Sequence, residues 1–189
     1  IINISLIDSG QVEIRNVSFN LNQLMYDLYA VFNSDLNEMK KASVELNISV
    51  SLNDSRSNIV SDPNKIEQII TTLLDNAMKF TPSGSIQFGY EVDGHFIKFF
   101  VKDTGFGIKP EKKQKLFSRF NKDFSKLEPD NGASGLGLPI CKGLVNLLKG
   151  NIWFESEVDK GTEFYFTIPY IQSNTESKSY LTRTSISSL

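Results

Sequence analysis

The chain has 189 residues, with 20 Lys and Arg against 22 Asp and Glu, a net charge of −2, and 40% hydrophobic residues. That length suits one domain with a substantial core, and so weak a charge gives no broad field for nucleic acid or a membrane surface. The lone Cys141 cannot close an internal disulfide, which points to a reducing, cytosolic setting, and no apolar run reaches bilayer-spanning length.

Residues 1–9 read as the last turns of an amphipathic helix (Ile1, Ile4, Leu6, Ile7), closed by Ser9-Gly10. The chain opens inside that pattern, as expected of a piece of a longer protein with a membrane anchor upstream. Val12 and Ile14 alternate across residues 11–15, the signal of a short strand. Asn20 can cap the next helix, with Gln23 three residues on. Leu21, Leu24, Met25, Leu28, Val31, Phe32, Leu36 and Met39 follow at helical spacing as its core stripe. Val44, Leu46, Ile48, Val50 and Leu52 alternate strictly, so a half-buried strand is expected. After a turn at Asn53-Asp54-Ser55, Ile59-Val60 makes a brief strand.

Asp62-Pro63 starts a helix, a carboxylate cap followed by proline at the first helical position. Its buried face is Ile66, Ile69, Ile70, Leu73, Leu74, Ala77 and Phe80, and Pro82-Ser83-Gly84 stops it. Two strands follow, residues 85–92 and 96–102, joined by a turn at Asp93-Gly94. The second delivers Asp103 at its end. A later helix runs to about Leu148, where Gly150 breaks it. Ile152-Trp153-Phe154 and residues 162–168 form a last hairpin turning near Asp159-Lys160-Gly161. Residues 171–189, rich in Ser and Thr without a period, read as a linker or disordered tail. The sum is an α+β fold, a two-layer sandwich of a mixed, mostly antiparallel sheet with helices on one face.

The chemistry concentrates between Asp103 and Leu138. Asp103-Thr104-Gly105-Phe106-Gly107 opens this stretch, and Gly132-Ala133-Ser134-Gly135-Leu136-Gly137-Leu138 closes it. Glycines allow close backbone approach, so exposed amides can line a phosphate. The second cluster runs into a helix, whose N-terminus favours an anion. Either cluster alone reads equally well as an ordinary loop; two together, one headed by an acid, point to nucleotide binding. No Gly-Lys-Ser/Thr follows, so this is not a P-loop.

Asn76-Ala77-Met78-Lys79-Phe80-Thr81, Asp103-Thr104-Gly105-Phe106-Gly107, Phe117-Ser118-Arg119-Phe120, Gly135-Leu136-Gly137-Leu138 and Gly161-Thr162 occur in that order. They resemble the N, G1, F, G2 and G3 boxes of sensor histidine kinases. The resemblance covers about residues 11–170, and residues 1–10 look like the tail of the preceding dimerisation helix. It implies a Bergerat-type site for ATP and Mg²⁺. In such a site Asp103 accepts the adenine amino hydrogen, Gly105 and Gly107 pass close to the base, and Ile108 and Phe80 lie near the nucleotide. Asn76 offers an oxygen to Mg²⁺, and Lys79 neutralises phosphate charge. The backbone of Ser134, Gly135, Leu136, Gly137 and Leu138 holds the triphosphate. Phe117 and Phe120 anchor a lid, Phe120 also reaching the nucleotide. Thr162, beside Gly161, belongs to the same set.

The sequence departs from the family pattern at three places. Thr72 stands where related ATPases carry a water-activating Glu, and a threonine hydroxyl is no general base near neutral pH. Lys122 fills a position often held by an arginine, giving charge without the bidentate fork. Ala133 replaces the first glycine of the G2 box, with Gly132 just before it. His95, the only histidine, sits by a hairpin turn without the acidic helical setting of a phosphoacceptor. The resemblance therefore implies a kinase catalytic domain that donates the γ-phosphoryl group to a histidine on a separate dimerisation domain, and through it serves a response regulator. It implies a homodimer for the full-length protein, a monomer for this piece, and no nucleic-acid partner. The competing readings are an ATPase of the same fold used as a conformational clamp, which Thr72 opposes, and a scaffold that binds no nucleotide.

Overall fold

The computed structural model of the chain describes residues 6–7, 9–39, 43–118 and 136–173. The elements are β1 (Val17–Asn20), α1 (Leu21–Glu38), β2 (Val44–Val50), a 3₁₀ turn (Asp54–Arg56), β3 (Asn58–Ser61), α2 (Pro63–Phe80), β4 (Gly84–Asp93), β5 (Phe96–Asp103), α3 (Pro110–Lys113), α4 (Gly137–Leu147), β6 (Ile152–Glu157) and β7 (Gly161–Pro169). Five strands form the main sheet in the order β2-β4-β5-β7-β6, and β1 and β3 pair separately. Only β2 and β4 run parallel; the other ladders are antiparallel. The parallel pair needs a long crossover, and α2 supplies it.

The strand period of two sorts each strand's side chains between the faces. Ile86, Phe88, Tyr90, Ile97, Phe99, Val101, Phe164, Phe166 and Ile168 are buried on one face, where α1, α2 and α4 pack. The opposite face carries Gln87, Glu91, Lys98, Lys102, Glu163 and Tyr165 and, among the described residues, has no helix on it. This is the expected two-layer α+β sandwich. On α2, Ile66, Ile69, Ile70, Leu73 and Leu74 are at most 1% exposed, and each such side chain contributes about 1.5–3 kcal/mol of hydrophobic stabilisation.

The predicted caps form. Asn20 accepts from Gln23 N at 2.8 Å, and Asp62 Oδ1 accepts from Lys65 N at 3.2 Å. The reciprocal half of the first capping box is absent, because Gln23 Nε2 donates to Asp27 instead.

Several expectations need correction. Residues 11–15 make no strand; Val12 and Ile14 pack against the core, while Arg15 N donates to the Asp62 carboxylate at 2.9 Å. Their alternation reported burial, not ladder pairing. Phe80 is 40% exposed, and Met78 takes the buried place at that end of α2. Val31 and Met39 also face solvent on or just past α1. The hairpin after β4 turns at Gly94-His95, since Asp93 pairs with Phe96. Gly94 alone of the two has positive φ, 59°, as a type II′ turn requires. Residues 171–173 extend the small sheet rather than trailing away: Val60 N donates to Ile171 O and Ser173 N to Asn58 O, each at 2.8 Å. The rest of the expected tail, 174–189, lies outside the described residues.

Candidate functional site

Asp103 is the last residue of β5 and is 9% exposed. Its Oδ1 accepts from Gly105 N at 2.9 Å. Burial pushes its carboxyl above the usual range, against the opposing pull of the Gly105 and Thr162 amides and the nearby Thr81 hydroxyl. The result is a rigid, nearly dry acceptor at a strand end.

Three glycines let the backbone close around it. A Cβ on Gly105 would lie 2.2 Å from Phe80 O, so the close approach of this glycine is to the end of α2. Phe106 N donates to that same Phe80 carbonyl at 3.3 Å. Gly107 has φ 67°, and a Cβ there would meet Glu157 O at 2.1 Å. Gly161 has φ 110°, and its Cβ would overlap Asp103 O at 1.9 Å. The Gly161-Thr162 pair thus fixes Asp103 itself, because Asp103 and Thr162 are ladder partners.

Ser156 ties these loops together. Its Oγ accepts from Ile108 N at 2.8 Å, donates to Gly161 O at 2.9 Å and lies 3.0 Å from Thr162 Oγ1. Sequence reasoning gave Ser156 no part, and an isolated Ser in a strand carries no signal of this. Thr81 ends the Asn76–Thr81 motif, and its residue type alone signals no role there.

α2 brings Thr72, Asn76 and Lys79 to one face by their spacing of four and three residues. All three are half-buried. Lys79 Nζ sits 5.4 Å from the Phe80 ring centroid. Gly137, at the N-terminus of α4, packs on this same face, since a Cβ there would be 3.0 Å from Thr72 Cγ2. Thr72 Oγ1 donates to Gln68 O at 2.8 Å, so its hydroxyl serves its own helix. Cys141 is buried against Ile69 O at 3.9 Å, and burial pushes its thiol up to about 12, which makes it inert packing. Pro139 lies in the first turn of α4, where it is tolerated.

The structure therefore gathers Asn76, Lys79, Phe80, Asp103, Gly105, Gly107, Ile108 and Thr162 around the C-terminal half of α2 and the end of β5. Leu136, Gly137 and Leu138 enter it from α4. Phe117 packs on Phe154 and Phe164, with ring centroids 5.9 and 6.5 Å away. Phe120, Lys122, Ser134 and Gly135, with the rest of the stretch 119–135, lie outside the described residues. Two open hollows, on the bare sheet face and beside β2, contain none of the predicted site residues. Among the described residues, no three His, Cys, Asp or Glu side chains gather to hold a metal, and no helix is long and apolar enough to cross a membrane.

The family described as histidine kinase-, DNA gyrase B-, and HSP90-like ATPase matches residues 61–172, a span that contains all of this site. The chain belongs to this family. Among relatives of this ATPase domain, the autoinducer 2 sensor kinase/phosphatase LuxQ of Vibrio vulnificus is 32% identical over 175 residues, 89% of this chain and 20% of that protein. The signal transduction histidine-protein kinase BarA of Escherichia coli is 30% identical over 173 residues, 89% of this chain and 18% of that protein. The chain spans about a fifth of the length of these curated relatives. The fold is that of histidine kinase catalytic domains. Full-length ShkA, solved with AMPPNP, superposes with a TM-score of 0.75 at 25% identity, covering 90% of this chain and 34% of that one. The catalytic domain of the histidine kinase ThkA, nucleotide-free, gives 0.68 at 27% identity, covering 82% and 95%.

Proposed function

We propose that this domain binds Mg-ATP and donates the γ-phosphoryl group to a histidine on a separate dimerisation domain. The observation that carries the reading is Asp103: a buried carboxylate at a strand end, fixed by Gly105 N, with the glycine loop that follows it packed on the end of the helix that carries Asn76 and Lys79. A carboxylate there accepts from the adenine amino group and discriminates against guanine, which lacks that donor. Family membership and the AMPPNP bound to ShkA support the same ligand.

Asn76 suits Mg²⁺ in chemistry, since its amide oxygen is a hard donor and this cation takes few protein ligands alongside phosphate oxygens. Bound there, the ion supplies charge neutralisation to the phosphates. Lys79 adds a point charge, and the amides at the start of α4 hold phosphate oxygens. Such a site accelerates phosphoryl transfer by positioning and electrostatics. Thr72 provides no base for water, and its hydroxyl is already engaged, so transfer to a protein acceptor is favoured over hydrolysis. Lys122 is assigned contact with the γ-phosphate on sequence position alone. Partnership with a response regulator, the dimeric full-length protein, a monomeric fragment, a catalytic domain bounded by residues 11–170 and a cytosolic setting belong to the same proposal.

Calorimetric titration with ADP and with AMPPNP, each with Mg²⁺ and with a chelator, tests it. Binding strengthened by Mg²⁺ is expected. Absence of binding to either nucleotide would leave only a scaffold.

A further inference from the structure

We propose that Thr81 is a positioning residue for the base: with nucleotide present, its hydroxyl donates to the Asp103 carboxylate and holds it in the orientation that accepts from the amino group of adenine. The inference rests on the nucleotide reading above and gives one more residue a part in base selection.

Thr81 is 0% exposed. Its Oγ1 is the one buried side-chain oxygen or nitrogen without a hydrogen-bond partner among the described residues. Native proteins seldom leave a buried hydroxyl unpaired, and such groups call for a functional explanation. The surroundings supply one. Thr81 is the C-cap of α2, with φ −113° and ψ 94°, so the chain leaves the helix there. The carbonyl just before it, Phe80 O, is bonded to Phe106 N. That bond holds the turn against the glycine loop whose first amide fixes Asp103 Oδ1.

A Cβ on Gly105 would lie 2.8 Å from the Phe80 carbonyl carbon, the atom bonded to Thr81 N, and 2.9 Å from Asp103 Oδ1, so the turn that carries Thr81 abuts the carboxylate, yet no hydrogen bond joins the Thr81 hydroxyl to it. A hydroxyl hydrogen rotates to suit its acceptor, and a carboxylate offers about four lone-pair sites. Gly105 N uses one, which leaves room for Thr81 and for a donor from a base. A base seated on the carboxylate restricts its rotation and lets the Thr81 bond close. A plain helix cap would need none of this, because its hydroxyl would bond to its own backbone.

The test uses the whole chain with Thr81→Val, which keeps the shape and removes the hydroxyl, and Thr81→Ser, which keeps the hydroxyl. Affinities are measured for ADP and for the diphosphate of purine riboside, which lacks the 6-amino group. Thr81→Val is expected to bind ADP about tenfold more weakly and to lose most of the preference for ADP over the analogue. Thr81→Ser should retain both within about twofold. Without nucleotide, Thr81→Val should melt no lower than the parent, since the hydroxyl it loses makes no bond. Unchanged ADP preference in Thr81→Val overturns the inference. So does an equal loss for both nucleotides that Thr81→Ser fails to restore, or a sharp drop in the melting temperature of unliganded Thr81→Val. Failure of the parent chain to bind either nucleotide defeats the nucleotide reading itself, and this inference with it.

Discussion

Asp103 is asked to do two things that conflict. Its burial raises its pKa, so the fold prefers the neutral acid. Ionisation therefore costs stability as pH rises through that raised value, and no such cost exists below the unfolded pKa, where both states are protonated. Asp103→Asn removes the charge while its amide oxygen can still accept from Gly105 N. The variant without nucleotide should melt higher than the parent above the carboxylate range, with the gain vanishing in acid. It should also bind ADP about tenfold to a hundredfold more weakly, a loss of about 1.5–3 kcal/mol for a charge-assisted bond replaced by a donor facing a donor. Unchanged affinity by calorimetry would contradict the role given to Asp103. Asn76→Ala should act differently: ADP still binds in chelator, but the added affinity from Mg²⁺ disappears. A variant that gains as much from Mg²⁺ as the parent has not lost a ligand. Asp103, Asn76 and Lys79 were legible in the sequence as candidates because residue type and spacing together are unusual there. Thr81 and Ser156 were not, because what matters in them is which neighbour the fold sets beside the hydroxyl.

At the scale of elements, what could be read was what is local. Asp62-Pro63 and Asn20 declared two helix starts, and the alternation from Val44 to Val50 declared β2. The failures came where the partner is distant. Residues 11–15 alternate like a strand, but Arg15 N finds the cap carboxylate of α2, and among the described residues they join no ladder. Phe80 belongs to the apolar series of α2 by spacing, yet at the last residue of the helix it emerges beside the glycine loop. The loop glycines allow a paired test. Gly161→Ala should lower the denaturation midpoint strongly, because φ 110° is strained for alanine by about 1–3 kcal/mol and the new Cβ would also overlap Asp103 O, 1.9 Å away. Gly94→Ala, at φ 59° with nothing within 4 Å, should lose only the backbone term of about 1–2 kcal/mol. Equal losses in the two would mean that the Gly161 contact with β5 is not tight.

On the proposed reading, the whole molecule keeps its only histidine away from the nucleotide. His95 is exposed and lies at the far end of β5 from Asp103, roughly 25 Å away at about 3.3 Å per residue along a strand. Ile7 meets α4: a Cβ on Gly143 would lie 2.8 Å from Ile7 Cγ2, so this residue rests on the helix whose first residue faces Thr72. This arrangement fits a domain that presents a nucleotide to something outside itself. The direct test is incubation with Mg²⁺ and γ-labelled ATP, alone and with a separately supplied dimerisation domain carrying an acceptor histidine. The account predicts no retained label and no sustained turnover by this chain alone, and label on the partner's histidine once it is added. Phosphate retained on His95, or steady ATP hydrolysis by the isolated chain, would contradict it.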